Sequence, residues 1–215
     1  FVGNLLLRND SLYFMAGPEC YITSDDKRFI EGYIQSDREG EAPRLVHKSY
    51  VFYVIERGDR YALRIKNTLA RTRYQLKEIP SYPVNYDLIF KAEVELPQNE
   101  ELMVVKDVTG YNQSFSVVAR LVFRLDGKSY RLSAFDGGAD YYFVIFTDQT
   151  TSNETYGGGR YLYVEKPVGR DSVTIDFNRS VNPPCAFTDF ATCPLPPADN
   201  DLPIVVNAGE RYPVH

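Results

Sequence analysis

Glu154 and Asp176 are the two carboxylates of this sequence best suited to chemistry, because each lies in a stretch dense in polar side chains. Two acids can divide the work of general acid and general base when their surroundings push their pKa values apart. The same oxygens would suit a divalent cation such as Ca2+ or Mg2+, with Asp148, Asp199 and Glu210 as further ligands. No compact calcium-loop spacing accompanies them, so no metal site is assigned and a divalent cation stays an alternative only. A solvated acidic surface, or acids that cap turns, accounts for these residues more simply.

Three segments hold this polar cluster: Asp148 to Arg160, Asp176 to Cys185, and Cys193 to Asn200, with Ala208-Gly209-Glu210 shortly after. The Gly157-Gly158-Gly159 turn beside Arg160 leaves backbone N–H groups unobstructed and could cradle a carboxylate or phosphate. Glycines there would equally let a loop re-enter a strand at positive φ. Tyr156, Gly158, Arg160, Asn178 and Asn182 are the residues expected to face a polar small molecule or carbohydrate. The competing architectural reading is that Asn178, Asn182 and Asn200 border proline-rich irregular backbone, whose N–H and C=O groups an amide can satisfy at once. Cys185 and Cys193 stand eight positions apart in that coil, close enough to bridge as a disulfide that would stiffen it. Cys20 is left over.

Absences narrow the chemistry. Only two histidines occur, His47 and the final His215, which gives Ser-His-Asp or Cys-His mechanisms little support and leaves two thiols too few ligands for zinc. Neither a phosphate-binding Gly-Lys-Ser/Thr loop nor a dinucleotide fingerprint is present, so no cofactor is expected. From Asp136 onward 11 acidic residues face 5 basic ones, whereas the first 135 residues are close to neutral. That balance argues against nucleic acid, whose binding needs a basic face. No apolar run approaches the roughly 20 residues of a membrane span. The chain opens on Phe1, which leaves room for a removed signal peptide or lipid anchor. A cell-envelope or secreted location is favoured narrowly over the cytoplasm on that ground. No motif speaks to oligomeric state.

The elements that must position these residues read as strands. With 17 Tyr and 13 Phe but no Trp, the composition favours half-buried pleated surfaces. Tyr50 to Ile55 and the alternating Tyr61, Leu63 and Ile65 predict a hairpin, with Arg57-Gly58-Asp59-Arg60 as its turn rather than an adhesion motif. Val117, Ala119, Leu121, Phe123 and Leu125 share one face of a second hairpin, and Asp126-Gly127 supplies its two-residue turn. The apolar run Tyr141 to Phe146 predicts a strand covered on both faces. Arg160 to Glu165 and Ser172 to Phe177 follow as strands. Residues 29–34 fit helix and strand alike.

Glu154-Thr155-Tyr156-Gly157-Gly158-Gly159-Arg160-Tyr161, Asp176-Phe177-Asn178-Arg179 and Asn182-Pro183-Pro184-Cys185-Ala186-Phe187-Thr188 together resemble a known family. Ala191-Thr192-Cys193-Pro194-Leu195-Pro196-Pro197 and Ala208-Gly209-Glu210 extend the match. The chain resembles the bacterial and archaeal proteins grouped as domain of unknown function 1684, closely over residues 140–212 and more loosely before. Gly158 departs from the pattern, where alanine is usual. The resemblance implies a prokaryotic protein and no established activity.

The fold expected is mainly β: a small N-terminal region over 1–80, and an antiparallel sandwich or barrel over 81–215, or the two run together as one domain. The coil at 182–200 should wrap across the sheet and bury Phe187 and Leu195. The function ranked first is a non-catalytic binding module for a polar small molecule or sugar. Behind it stand a carboxylate-dependent hydrolase, with or without a divalent cation, and a purely structural cluster.

Overall fold

The computed structural model describes residues 1–9, 11–38, 40–76, 78–168 and 171–212, and the chain divides into two compact units, Phe1–Lys77 and Glu78–His215. Both are built from antiparallel sheets, so the protein is mainly β as its composition implies.

The first unit contains β1 (Gly3–Arg8), β2 (Ser11–Ala16), β3 (Ile22–Ser24), β4 (Lys27–Phe29), β5 (Glu31–Ile34), β6 (Leu45–His47), β7 (Tyr50–Arg57) and β8 (Arg60–Asn67). They form a three-stranded sheet, β1-β2-β5, and a five-stranded one, β4-β3-β6-β7-β8. Leu12, Phe14, Ile22, Ile34, Leu45, Phe52 and Val54 make the core. The ambiguous stretch at 29–34 is therefore strand: β4 ends at Phe29 and β5 starts at Glu31. Arg57 pairs with Arg60 across the β7–β8 turn, where Gly58 has φ 63°, so the Arg-Gly-Asp triplet is turn chemistry.

The second unit contains β9 (Ile89–Glu95), β10 (Leu102–Lys106), β11 (Asn112–Leu125), β12 (Lys128–Asp136), β13 (Tyr141–Phe146), β14 (Arg160–Glu165) and β15 (Ser172–Asp176). The strand order is β14-β13-β12-β11-β9-β15, and β10 pairs the first part of β11. A register shift between Val117 and Ala119 separates the part of β11 facing β10 from the part facing β9 and β12. Asp126 and Gly127, at φ 50° and 75°, form the predicted β11–β12 turn.

The sheet curls until its two edge strands, β14 and β15, come together. Tyr161 and Val181 exchange both backbone hydrogen bonds at 2.9 Å across that seam, which nearly closes a barrel. Inside it Phe90, Phe123, Phe146 and Phe177 pack ring to ring around Leu121, Val144 and Ile175. A second cluster, with Val105, Val117, Phe135, Ile145, Tyr161 and Cys193, covers the other side of β13. That strand is buried on both faces, as its unbroken apolar run implies.

The coil does not bury what its hydrophobicity suggests. Ala186 and Cys193 turn inward, Leu195 is half-buried, and Phe187 is 38% exposed. The 3-10 turn Pro184–Ala186 points Ala186 at the core and leaves the next side chain facing out.

Candidate functional site

Asp148 follows the end of β13 and Arg160 opens β14, so the strand pairing Phe146↔Arg160 brings the loop between them back on itself. Both side chains are sealed from solvent and form an ion pair of 2.7 Å between Arg160 Nη2 and Asp148 Oδ2. Arg160 also donates to the carbonyls of Val206, at 3.0 Å, and Ala208. Its guanidinium lies 5.2 Å from the Phe146 ring centre. Asp148 Oδ1 accepts the N–H of Thr150 at 2.9 Å and of Val206 at 3.2 Å. A buried ion pair holds best when its remaining oxygens and N–H groups find partners; here the wrapping chain supplies most of them, and among the described residues the buried Arg160 Nε is left without one. Arg160 was expected to face a ligand; the structure uses it to fasten the 206–208 backbone to the barrel.

The asparagines do similar work. Asn178 accepts the N–H of Asn85 at 2.8 Å and donates to its carbonyl at 2.9 Å, gripping that residue's backbone as a strand partner would. Asp176 Oδ1 takes the backbone and side-chain N–H groups of Asn178 at 3.0 and 2.8 Å, capping the 3-10 turn Phe177–Arg179. One oxygen of this candidate acid is thus engaged in capping a turn. Asn182 receives Glu210 Oε2 on its backbone N–H at 2.6 Å and donates to the Arg211 carbonyl at 3.1 Å.

The glycines are spent on packing. At Gly159, φ is 80° and a Cβ would meet Pro196 Cγ at 2.4 Å and the Phe146 carbonyl at 2.6 Å. At Gly158 a Cβ would meet the Tyr156 ring at 2.5 Å. The run closes the loop against the barrel, with the Gly159 N–H already bonded to the Tyr156 carbonyl at 3.0 Å. Tyr156 donates to the Cys185 carbonyl at 3.3 Å, and burial is the main force pushing its hydroxyl up to about 12.

Cys185 and Cys193 are free thiols rather than the expected disulfide. They are neighbours nonetheless: the Cys185 N–H donates to Cys193 Sγ at 3.2 Å. Burial, and then the neighbouring Cys193 thiol, push the Cys185 thiol up to about 12, a shift that disfavours the thiolate. Among the described residues no group of three His, Cys, Asp or Glu side chains is placed to hold a metal ion. Of the acids considered as cation ligands, Asp148 is held by Arg160, Glu210 by Asn182, and Asp199 lies in the 3-10 turn Ala198–Asn200.

An open concave surface lies beside these residues. Tyr82, Pro83, Val84, Asn85, Tyr86, Asp87, Glu154 and Asn207 line a groove of about 560 Å3. Its wall is an extended segment that runs beside the C-terminal coil: Arg211 N–H donates to the Pro80 carbonyl at 2.7 Å, and Tyr82 N–H to Gly209 at 2.9 Å. Asn178 fixes the same wall at Asn85. Glu154 is half-exposed and pairs with Arg211 at 3.3 Å, whose guanidinium lies 5.1 Å from the Tyr82 ring centre. Burial, and then the nearby Glu154 charge, hold the Tyr82 hydroxyl above its ordinary pKa.

Of the residues singled out by sequence, Glu154 lines this groove; Asn178, Asn182 and Arg160 support the backbone around it. Tyr82, Tyr86, Asp87 and Asn207 escaped notice. Pro80 and Pro83 bracket Tyr82, and prolines that forbid helix set such an extended wall.

A family model described as a protein of unknown function, DUF1684, matches residues 74–211, more than half of the chain and nearly all of the second unit. The chain belongs to the DUF1684 family. No curated protein matches this DUF1684 member. The solution NMR structure of an uncharacterised protein from Haloarcula marismortui is similar to it, at 35% identity and a TM-score of 0.53. That match covers 65% of this chain and 78% of the other. The stretches that carry the sequence resemblance fall on the loop ahead of Arg160, the Asp176–Asn178 turn and the cysteine coil, which are parts that hold the barrel seam and the groove wall in place.

Proposed function

We propose that the second unit is a non-catalytic binding module that takes a polar small molecule or carbohydrate in the Tyr82–Glu154 groove. The observation that carries this reading is the lining itself. Two tyrosine rings and a valine offer apolar faces, while Asp87, Glu154 and Asn207 add a few polar groups. Small-molecule sites characteristically combine those features on a rigid frame. Asp176, Asn178 and the Arg160 pair supply the frame, which leaves the Asp87 carboxylate and Asn207 available for a ligand, while Glu154 is shared with Arg211.

A thermal-shift series with neutral sugars and polar metabolites tests it, using wild type, Glu154→Ala and Tyr86→Ala. Both positions are exposed, and the Glu154–Arg211 pair is a surface contact worth at most about 1 kcal/mol, so the unliganded variants should melt close to wild type. A ligand specific to the folded state raises the wild-type Tm by mass action. A compound that does so, with the shift reduced in both variants, supports the reading. Equal shifts in all three proteins, or no shift with any compound, would refute it.

A further inference from the structure

The groove is negative as well as polar. Its lining includes two carboxylates, Asp87 and Glu154, two tyrosines and two asparagines, and no Lys, Arg or His. Among the described residues the Asp87 carboxylate takes part in no hydrogen bond or ion pair; only its backbone N–H is engaged, by Asn85. Over residues 78–215 there are 19 acidic against 11 basic residues, a net −8, whereas residues 1–77 carry +3. A field of that sign draws cations towards an acidic cleft and repels anions.

The groove also grips a cation of its own. Glu154 and the face of Tyr82 hold the Arg211 guanidinium between a carboxylate, at 3.3 Å, and a ring centre, at 5.1 Å. A tyrosine face beside a carboxylate is the chemistry that recognises organic cations. Asp87 and Tyr86, the latter 79% exposed, place the same two kinds of group on this lining, with no cation against them among the described residues.

Resting on the binding reading above, we infer that the groove's ligand is an organic cation, an amine- or guanidinium-bearing small molecule, recognised by Asp87 and Glu154 beside Tyr82 and Tyr86. Arg211 then occupies part of the site as an internal competitor.

Isothermal titration on the full chain decides between charge classes, with glucosamine, glucose and glucuronate as one carbon frame in three charge states and agmatine as a copy of the arginine head. Glucosamine or agmatine should bind at least about 10-fold more tightly than glucose, glucuronate should not bind, and added salt should weaken the cation. Asp87→Asn and Glu154→Gln should each weaken the cation by about 3- to 10-fold, with Tm confirming that the isosteric variants fold. Arg211→Gln should bind it as well as wild type or better. Glucose binding as tightly as the cations would overturn the charge inference and leave the binding reading standing. Preference for glucuronate, or loss of binding in Arg211→Gln, would overturn it too, since either places the ligand on Arg211 as an anion. If neither cations nor neutral sugars bind, both readings fall.

Discussion

Arg160 illustrates how a residue that looks functional in sequence can be structural. An arginine after three glycines, in a loop rich in hydroxyls and acids, has the composition of an anion site, yet its guanidinium is sealed in with Asp148 and two carbonyls. Removing one partner of such a pair leaves a charge stranded in the core. Asp148→Ala is therefore expected to destabilise the protein by about 3–5 kcal/mol. Asp148→Asn, which keeps an acceptor for Thr150 and Val206, should cost less; urea unfolding of the two variants checks the order. Asp107 offers a pH-dependent counterpart. Burial raises its pKa, but the Thr109 hydroxyl, the N–H groups of Tyr111 and Thr109, and Gln113 together outweigh burial and hold it below the ordinary carboxylate value. Its folded pKa is depressed, so its stabilisation is complete above the unfolded value of about 4 and fades as pH falls through the lower folded value. Asp107→Asn is expected to be about 1–3 kcal/mol less stable than wild type at pH 7, with the gap narrowing below pH ~4. A gap constant from pH 7 to pH 3 would contradict this.

At the scale of elements, Asn200 is the clearest case of a side chain doing a strand's work. Strands β12 and β13 pair only at Phe135↔Phe143 and Asp136↔Tyr142, then part. Asn200, fully buried, enters the gap: it accepts the Ser133 N–H at 2.7 Å and donates to the carbonyls of Ser133 and Ile145 at 2.9 and 2.8 Å. The backbone around it continues the sheet, with Thr147 N–H on the Asn200 carbonyl and Leu202 N–H on that of Thr147. Asn200→Ala would strand three backbone groups in the core, each worth about 1–3 kcal/mol when unsatisfied, so a loss of at least about 3 kcal/mol is expected. Hydrogen exchange at Ser133 should quicken in the variant. Unchanged protection there would contradict the role. The hairpins, by contrast, were plain in the sequence, since Asp126-Gly127 between alternating apolar runs dictates both turn and register. What was not legible was convergence. The amides of Asn178, Asn182 and Asn200 were recognisable as partners for irregular backbone, but the backbones they serve lie 93, 29 and 67 positions away in sequence. The Tyr82 groove stayed hidden for the same reason, because its wall and Glu154 meet only once the barrel has closed.

For the whole molecule, the distribution of apolar residues and of charge points the same way. Each hydrophobic core draws its residues from a single unit: Leu12 to Val54 in the first, Leu88 to Ala208 and Val105 to Cys193 in the second. The family match covers nearly all of the second unit and almost none of the first. The units also differ in charge sign, +3 against −8. A core closed within one unit can supply cooperativity without the other. A fragment spanning residues 78–215 is therefore expected to fold alone, with native near-UV circular dichroism and one cooperative transition in urea. Because every residue lining the groove belongs to that fragment, its affinity for a groove ligand should lie within about threefold of the full chain's, a difference below 1 kcal/mol. A broad, non-cooperative transition would mean that the barrel depends on residues 1–77. A cooperative fragment with much weaker binding would instead place part of the recognition in the first unit, outside the groove wall that Asn178 and the 206–211 segment hold in place.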